Sequence, residues 1–171
     1  TVAKAIELAD KGSHEIIIDE GTYVGNDYAI TGNLTVTSNG KVTLDANNEG
    51  RLFNMAYGTA ADKIEFHNLI LTNANGYGAA VYSFAKELIL DNVTIVNNQA
   101  SGYLVKSSGK LTVKDSKIIN STSGNVIEHS ANGDILINNT LFENNVITDS
   151  TSVYGVVYIS SGKGNLVVED S

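Results

Sequence analysis

With 171 residues, 42% of them apolar, the chain is long enough for one domain with a sizeable core, and no apolar run reaches the ~18 residues a membrane-spanning helix needs. A net charge of −8, with Arg51 the sole arginine among 11 basic residues, leaves no basic stripe for nucleic acid. Cysteine is absent, which excludes disulfides and thiolate metal sites, and proline is absent, which suits unbroken hydrogen-bond ladders.

The first predicted element is a short amphipathic helix from Val2 to Asp10. Val2, Ala5, Ile6 and Ala9 follow the i, i+3, i+4, i+7 spacing, and Lys11-Gly12 is its stop. A strand, EIIIDEGTYVG, follows from Glu15. Helical periodicity ends at Asn33, where a degenerate repeat, NLTVTSNGKVTLD, begins. Four further stretches then align without gaps: KIEFHNLILTN from Lys63, ELILDNVTIVN from Glu87, KLTVKDSKIIN from Lys110 and DILINNTLFEN from Asp134. NLVVEDS from Asn165 starts the pattern again. The starts lie 30, 24, 23, 24 and 31 residues apart. A β-type repeat of about 24 residues predicts a solenoid whose units bury their faces against one another.

Within a repeat the second, fourth and ninth positions are apolar, and often the seventh, as in Ile64, Phe66, Leu69 and Leu71. Strand alternation puts them on one face of two short strands, and the phase change between the strands needs a turn. The sixth position is always Asn or Asp (Asn68, Asn92, Asp115, Asn139, Asp170) and the eleventh always Asn (Asn73, Asn97, Asn120, Asn144). Both residues tolerate left-handed backbone, and stacked Asn side chains form ladders. A third strand follows a loop of variable length: GAAVY from Gly78, GYLVK from Gly102, GNVIE from Gly124 and GVVYI from Gly155. The fold class is therefore all-β, a parallel β-helix with three short strands per ~24-residue coil, too long a coil for a left-handed hexapeptide prism and so right-handed, closed at one end by the helix. One domain, 1–171, divides into a capping helix (1–12), first coils with an insertion (13–62) and regular coils (63–171). Variable loops are placed at 46–62, 73–78 and 144–155. The chain starts at Thr1 without a signal-peptide pattern and stops inside a coil, so it reads as a piece of a longer protein whose flanks would carry a signal or anchor.

The opening TVAKAIELADKG…IIIDEGTY resembles the N-terminal cap and first coil of the pectate-lyase-like right-handed β-helix superfamily. FENN from Phe142, IVNN from Ile95 and GAAV from Gly78 resemble the FxxN and GGAI halves of repeats in polymorphic outer-membrane proteins and the adhesin-like surface proteins of methanogenic archaea. The resemblance implies an extracellular or cell-surface module, a stalk or a binder of surface glycan or protein, without catalysis and without direct membrane insertion in this segment.

Polysaccharide lyases and glycosidases share this fold, so catalytic groups need to be weighed. Glycosidases need two carboxylates about 5–9.5 Å apart. The family signatures, a GHG turn and a paired Arg-x-Lys, are absent. The outward charges, Lys63, Glu87, Lys110 and Asp134 at the first position and His67, Asp91, Lys114, Asn138 and Glu169 at the fifth, mostly alternate in sign, as cross-strand pairing favours. His67–Asp91 and Glu128–His129 are possible acid-base pairs but read as solvated surface, with no nucleophile at hand. No catalytic residue, metal ligand or cofactor is assigned: neither DxDxDG-type calcium loops nor GxGxxG occurs. Binding is assigned instead to Tyr77, Tyr103 and Tyr154, at the entries to third strands, with Tyr82 and Tyr158 nearby. Rings staggered along a rod, hydroxyls wet, suit stacking on sugars. Two outward apolar rows are also expected, Ile89, Leu136 and Val167 on one strand and Ile70, Val96, Ile119 and Leu141 on the next. Sequons occur at Asn33, Asn92, Asn120 and Asn138. The favoured function is a non-enzymatic adhesion or surface-display module; a polysaccharide-enzyme fragment and a purely structural stalk are the alternatives.

Overall fold

The computed structural model describes residues 1–9, 11–148 and 155–171. The helix covers Val2–Ala9 and buries Val2, Ile6 and Ala9 against the strands Glu15–Val24 and Tyr28–Ile30. It ends where Gly12 N donates to Ala9 O at 3.0 Å; Asp10 lies outside the described residues. Apolar spacing makes this helix one-sided, and the buried side closes the first coil, where strand edges would otherwise meet water.

The described residues after its turn form a parallel solenoid. Among the described residues the strands pair in parallel in three sheets of ten, four and six strands. The largest sheet takes the two predicted strands of every coil, and the six-stranded sheet takes the predicted third strands. The four-stranded sheet is built of two-residue strands such as Asn75–Gly76 and Gln99–Ala100, an extra facet between the second bend and the third strand. The insertion expected at 46–62 is not all loop. Phe53–Met55 is a full member of the six-stranded sheet, pairing with Tyr28–Ile30 on one side and Val81–Tyr82 on the other. Leu52, Phe53 and Met55 are wholly buried there. Only the degenerate repeat copy from Asn33 precedes this strand, and its tertiary pairing reveals it.

The register stacks like on like. Leu34, Ile64, Leu88, Leu111, Ile135 and Leu166 form one inward column, and Val36, Phe66, Leu90, Val113, Ile137 and Val168 the next. All are buried except the last of each, Leu166 and Val168. A one-residue slip would turn both columns out to water, so burial fixes the register. Phe53 packs on Phe66 with ring centroids 4.3 Å apart, joining the sheets across the core.

The bends are single left-handed residues. Asn68, Asn92, Asp115, Asn139 and Asp170 have φ of 45–59°, and Asn73, Asn97, Asn120 and Asn144 of 50–56°. Side chains link parts of the first row: Asn92 Nδ2 donates to Asn68 Oδ1 at 2.8 Å and Asn139 Nδ2 to Asp115 Oδ1 at 2.7 Å. The first two coils depart from the rule: the first turns at Glu20-Gly21 with no left-handed Asn or Asp, and the second widens its bend. Four residues, 38–41, stand where the neighbouring strand has Asn68 alone, and pairing resumes at Val42↔Leu69.

Just inside the bends lies a polar system that apolar periodicity does not announce. Ser116, Thr140 and Ser171 follow the first bend, and Asn98, Ser121 and Asn145 the second. Ser116 Oγ accepts from Val93 N at 3.0 Å, and Ser171 Oγ from Thr140 N at 3.0 Å. Asn98 accepts from Ala74 N and donates to Leu71 O and Val96 O; Asn145 accepts from Ser121 N and donates to Ile118 O. Buried backbone groups at a bend lose their ladder partners, and these side chains replace them.

Replacing Asn92 separates backbone shape from side-chain bonding. Asn92→Ala is expected to cost about 1–2 kcal/mol, since a Cβ-bearing residue without local hydrogen bonding resists left-handed backbone. Asn92→Gly, which adopts that backbone freely, is expected to cost less. Urea unfolding of both variants checks this; equal losses would mean that the amide bond to Asn68, not φ, holds the bend.

Candidate functional site

The outward face of the six-stranded sheet carries a continuous aromatic and cationic shelf. Its central column runs Asn54, Tyr82, Lys106, Glu128, Tyr158 in strand-pairing order. Arg51 Nη1 donates to Asn54 Oδ1 at 2.8 Å, and its guanidinium lies 4.8 Å from the Tyr82 ring centre. Tyr82 stacks near-parallel with Tyr103 of the next coil at 6.0 Å. Tyr77 meets Tyr103 edge-on at 4.8 Å. Phe84 meets both Tyr82 and Tyr57 edge-on, at 5.1 and 5.3 Å. Tyr57 is 89% exposed and Tyr77 52%, so one side of the cluster is open to a ligand.

Two glycines make room for these rings. A Cβ on Gly102 would stand 2.6 Å from the Tyr77 ring, and one on Gly78, whose φ is +77°, 2.5 Å from the Tyr82 ring. The Gly that opens the third strand in these coils is thus the counterpart of a tyrosine packed over it.

Of the three tyrosines assigned to binding, Tyr77 is on the surface as expected of a contact residue. Tyr103 is not: it is 4% exposed, roofed by Tyr77 and Tyr82, and serves as the floor of the shelf. Burial, the Tyr77 hydroxyl and nearby negative charge push its phenol pKa far above the usual range, so it stays neutral. Tyr154 lies outside the described residues. Tyr57, Phe84 and Arg51 complete the cluster and were missed, because they belong to the stretch read as a variable loop or to a turn. Their signal was local aromatic density either side of the GAAVY strand.

Lys106 lies 5.2 Å from the Tyr103 ring centre and pairs with Glu128 at 2.5 Å; the two side chains are 7% and 16% exposed. The expected solvated pair Glu128–His129 is therefore corrected on both counts. Glu128 faces the shelf, whereas His129 is on the alternate face, 1% exposed. Neither His129 ring nitrogen has a well-formed hydrogen bond. Burial holds its pKa below the ordinary histidine range, with Lys106 adding to the shift and the Ala131 and Gly133 carbonyls opposing it. A cavity of about 40 Å³ adjoins the ring, lined by Gly133, Ile135, Gly162 and Gly164.

The charged face of the large sheet is a closed network. His67 lies 3.3 Å from Asp91 and 3.4 Å from Glu65; Asp91 pairs with Lys114 at 3.0 Å, Lys63 with Glu65 at 2.7 Å and Lys110 with Glu87 at 2.9 Å. Burial pushes the Glu65 carboxyl up, but Lys63 and His67 outweigh it and hold it below the usual value. His67 is thus held between two carboxylates that are themselves paired with Lys63 and Lys114. Among the described residues no group of three His, Asp or Glu side chains is set to hold a metal ion. The expected apolar row on the second strand also resolves into two mixed columns: Ile70, Thr94, Lys117, Leu141 and Thr72, Val96, Ile119, Glu143. Lys117 and Glu143 interrupt them, so this face is not a continuous apolar patch.

The family model for the right-handed β-helix region matches residues 13–171. The chain belongs to the right-handed β-helix family. That assignment gives the solenoid its hand and covers every coil, leaving only the capping helix and its turn outside. No curated protein and no solved structure matches this right-handed β-helix chain significantly. The fold hosts many functions, so the site must carry the argument for this one.

Two stability outcomes follow. Lys106→Met leaves Glu128 buried without a counter-charge and is expected to cost about 3–5 kcal/mol, most of it regained in Lys106→Met/Glu128→Leu. Denaturant unfolding checks this; an additive double variant would mean that the two charges act independently. For His129, the native state prefers the neutral ring. Its contribution is full above the unfolded pKa of about 6.5 and is lost as pH falls from there through the lower folded value. Melting temperatures from pH 8 to 5 should fall more steeply for the wild type than for His129→Gln; parallel curves would remove His129 as the cause.

Proposed function

We propose that this right-handed β-helix is a non-enzymatic adhesion or surface-display module, acting outside the cell, that binds glycan chains on the shelf formed by Tyr57, Tyr77, Tyr82, Phe84 and Tyr103. The observation that supports this reading is the set of edge-on and stacked rings with Tyr57 and Tyr77 exposed above a buried floor. A pyranose has one face of C–H groups, and that face packs on an aromatic ring as other apolar surface does. Rings held by neighbouring rings and by the sheet lose little freedom on binding, which favours affinity. Weak sites displayed on a stiff rod gain by effective concentration when several rods or several chains engage together.

A polysaccharide-active enzyme is the second reading, favoured by the titratable cluster Glu65–His67–Asp91. Its carboxylates are engaged by lysine and histidine rather than facing an open cleft across which a sugar bond would lie, so it ranks below binding.

Pull-down on insoluble polysaccharides, with reducing-end and unsaturated products followed in the same samples, separates the readings. Retention without products, reduced at least tenfold in Tyr57→Ala/Tyr77→Ala with the melting temperature unchanged, is the expected result. Products that disappear in His67→Gln would overturn the binding reading in favour of the enzyme. Full retention by the tyrosine double variant would remove the shelf as the site.

A further inference from the structure

We infer that the shelf selects acidic sugars, with Arg51 as the residue that reads the anionic substituent, a carboxylate or a sulfate. The inference rests on the glycan-binding reading above and names the class of glycan.

Arg51 is the only guanidinium in a chain of net charge −8, and it makes no ion pair among the described residues. That is unlike its surroundings. Lys106, the other cation of the shelf, is neutralised by Glu128, and Lys86, just beyond Phe84, pairs with Asp62 at 2.6 Å. Arg51 instead carries its charge uncompensated beside aromatic rings. It is also held in place. Asn54 Oδ1 takes one of its five N–H donors, and the guanidinium lies over the Tyr82 ring of the next coil, 4.8 Å from its centre. Both contacts are to neutral groups, so they orient the cation without neutralising it. Its remaining donors make no other side-chain hydrogen bond among the described residues.

A planar, half-buried guanidinium with spare donors matches the two oxygens of a carboxylate or sulfate in a bidentate pair. The position matters as much as the charge. Arg51, Tyr82, Phe84 and Tyr57 are linked by successive contacts of 4.8, 5.1 and 5.3 Å, so a sugar on the exposed Tyr57 side has the cation at the other end of the same cluster. Stacking alone would accept neutral and acidic sugars alike. Repulsion from the acidic body works against an anionic ligand everywhere else, so a local cation is what allows one here.

The test is calorimetric titration of the folded chain with a chondroitin-sulfate hexasaccharide, its desulfated form, its desulfated and carboxyl-reduced form, neutral chitohexaose, and poly-glutamate. The wild type is expected to bind the sulfated or the carboxylated form at least tenfold tighter than the fully neutralised one, and to lose that margin as salt is raised. The first two forms show which anion is read. Arg51→Gln should abolish the preference, bringing the charged and neutralised forms to equal affinity; Arg51→Lys should retain part of it, through charge without the fork. Equal affinity of the wild type for charged and neutral forms, or an unchanged preference in Arg51→Gln, overturns the role of Arg51 and leaves glycan binding standing. No binding of any oligosaccharide overturns both. Binding of poly-glutamate alone reassigns the cation to an acidic protein partner and overturns the sugar class.

Discussion

The whole solenoid depends on single residues that accept left-handed backbone. From Lys63 onward each coil changes direction at one Asn or Asp with φ near +50°, and the next coil does so at the same place. Because each bend takes so little chain, the strands on either side stay in step, and the apolar columns behind them stay continuous. A residue unable to adopt this backbone would need a longer turn, as at residues 38–41. The buried Ser and Asn side chains just past the bends complete the device, since a chain that turns so sharply inside a protein must find partners for the amides it exposes.

This regularity divides the surface into faces of distinct chemistry. One face of the large sheet carries an ion network in which Lys63, Lys110 and Lys114 are each matched by a carboxylate in the same or the adjoining coil. The third face is aromatic, with a buried ion pair and one guanidinium that has no counter-charge among the described residues. The charged face is self-satisfied and offers little to a ligand. The aromatic face has exposed ring surface and spare hydrogen-bond donors.

How much of this the sequence discloses depends on whether a feature repeats. Bends repeat, so Asn68, Asn92, Asp115 and Asn139 mark themselves. Core columns repeat, so Ile64, Leu88, Leu111 and Ile135 align before any coordinate is known. The strand Phe53–Met55 follows only a degenerate copy of the repeat and was hidden inside an apparent insertion. Tyr103 and Lys106 sit on a strand whose five residues are all buried, against the alternation expected of a half-exposed strand, because rings from the preceding coil roof it over. His129 follows an exposed-looking Glu yet turns inward. Contacts between side chains about a coil apart leave no local trace; the shelf could be anticipated through Tyr77 but not assembled. The polar side chains inside the bends were legible in principle, as small hydrogen-bonding residues immediately after the turn Asn, but only once a bend is known to bury its own amides.

The widened bend at residues 38–41 shows what the architecture tolerates. Four residues replace one, Ser38 Oγ reaches the Asn68 carbonyl at 2.7 Å, and the strands beyond resume their pairing as though nothing had been added. Length can therefore change at a corner without a cost in register to the coils above or below. Corners are the natural places to graft foreign peptides: a loop spliced at one coil would project from a fixed point on the rod, and copies at successive corners would be spaced by the strand separation, about 4.8 Å. A scaffold of this kind converts a choice of coil into a choice of distance.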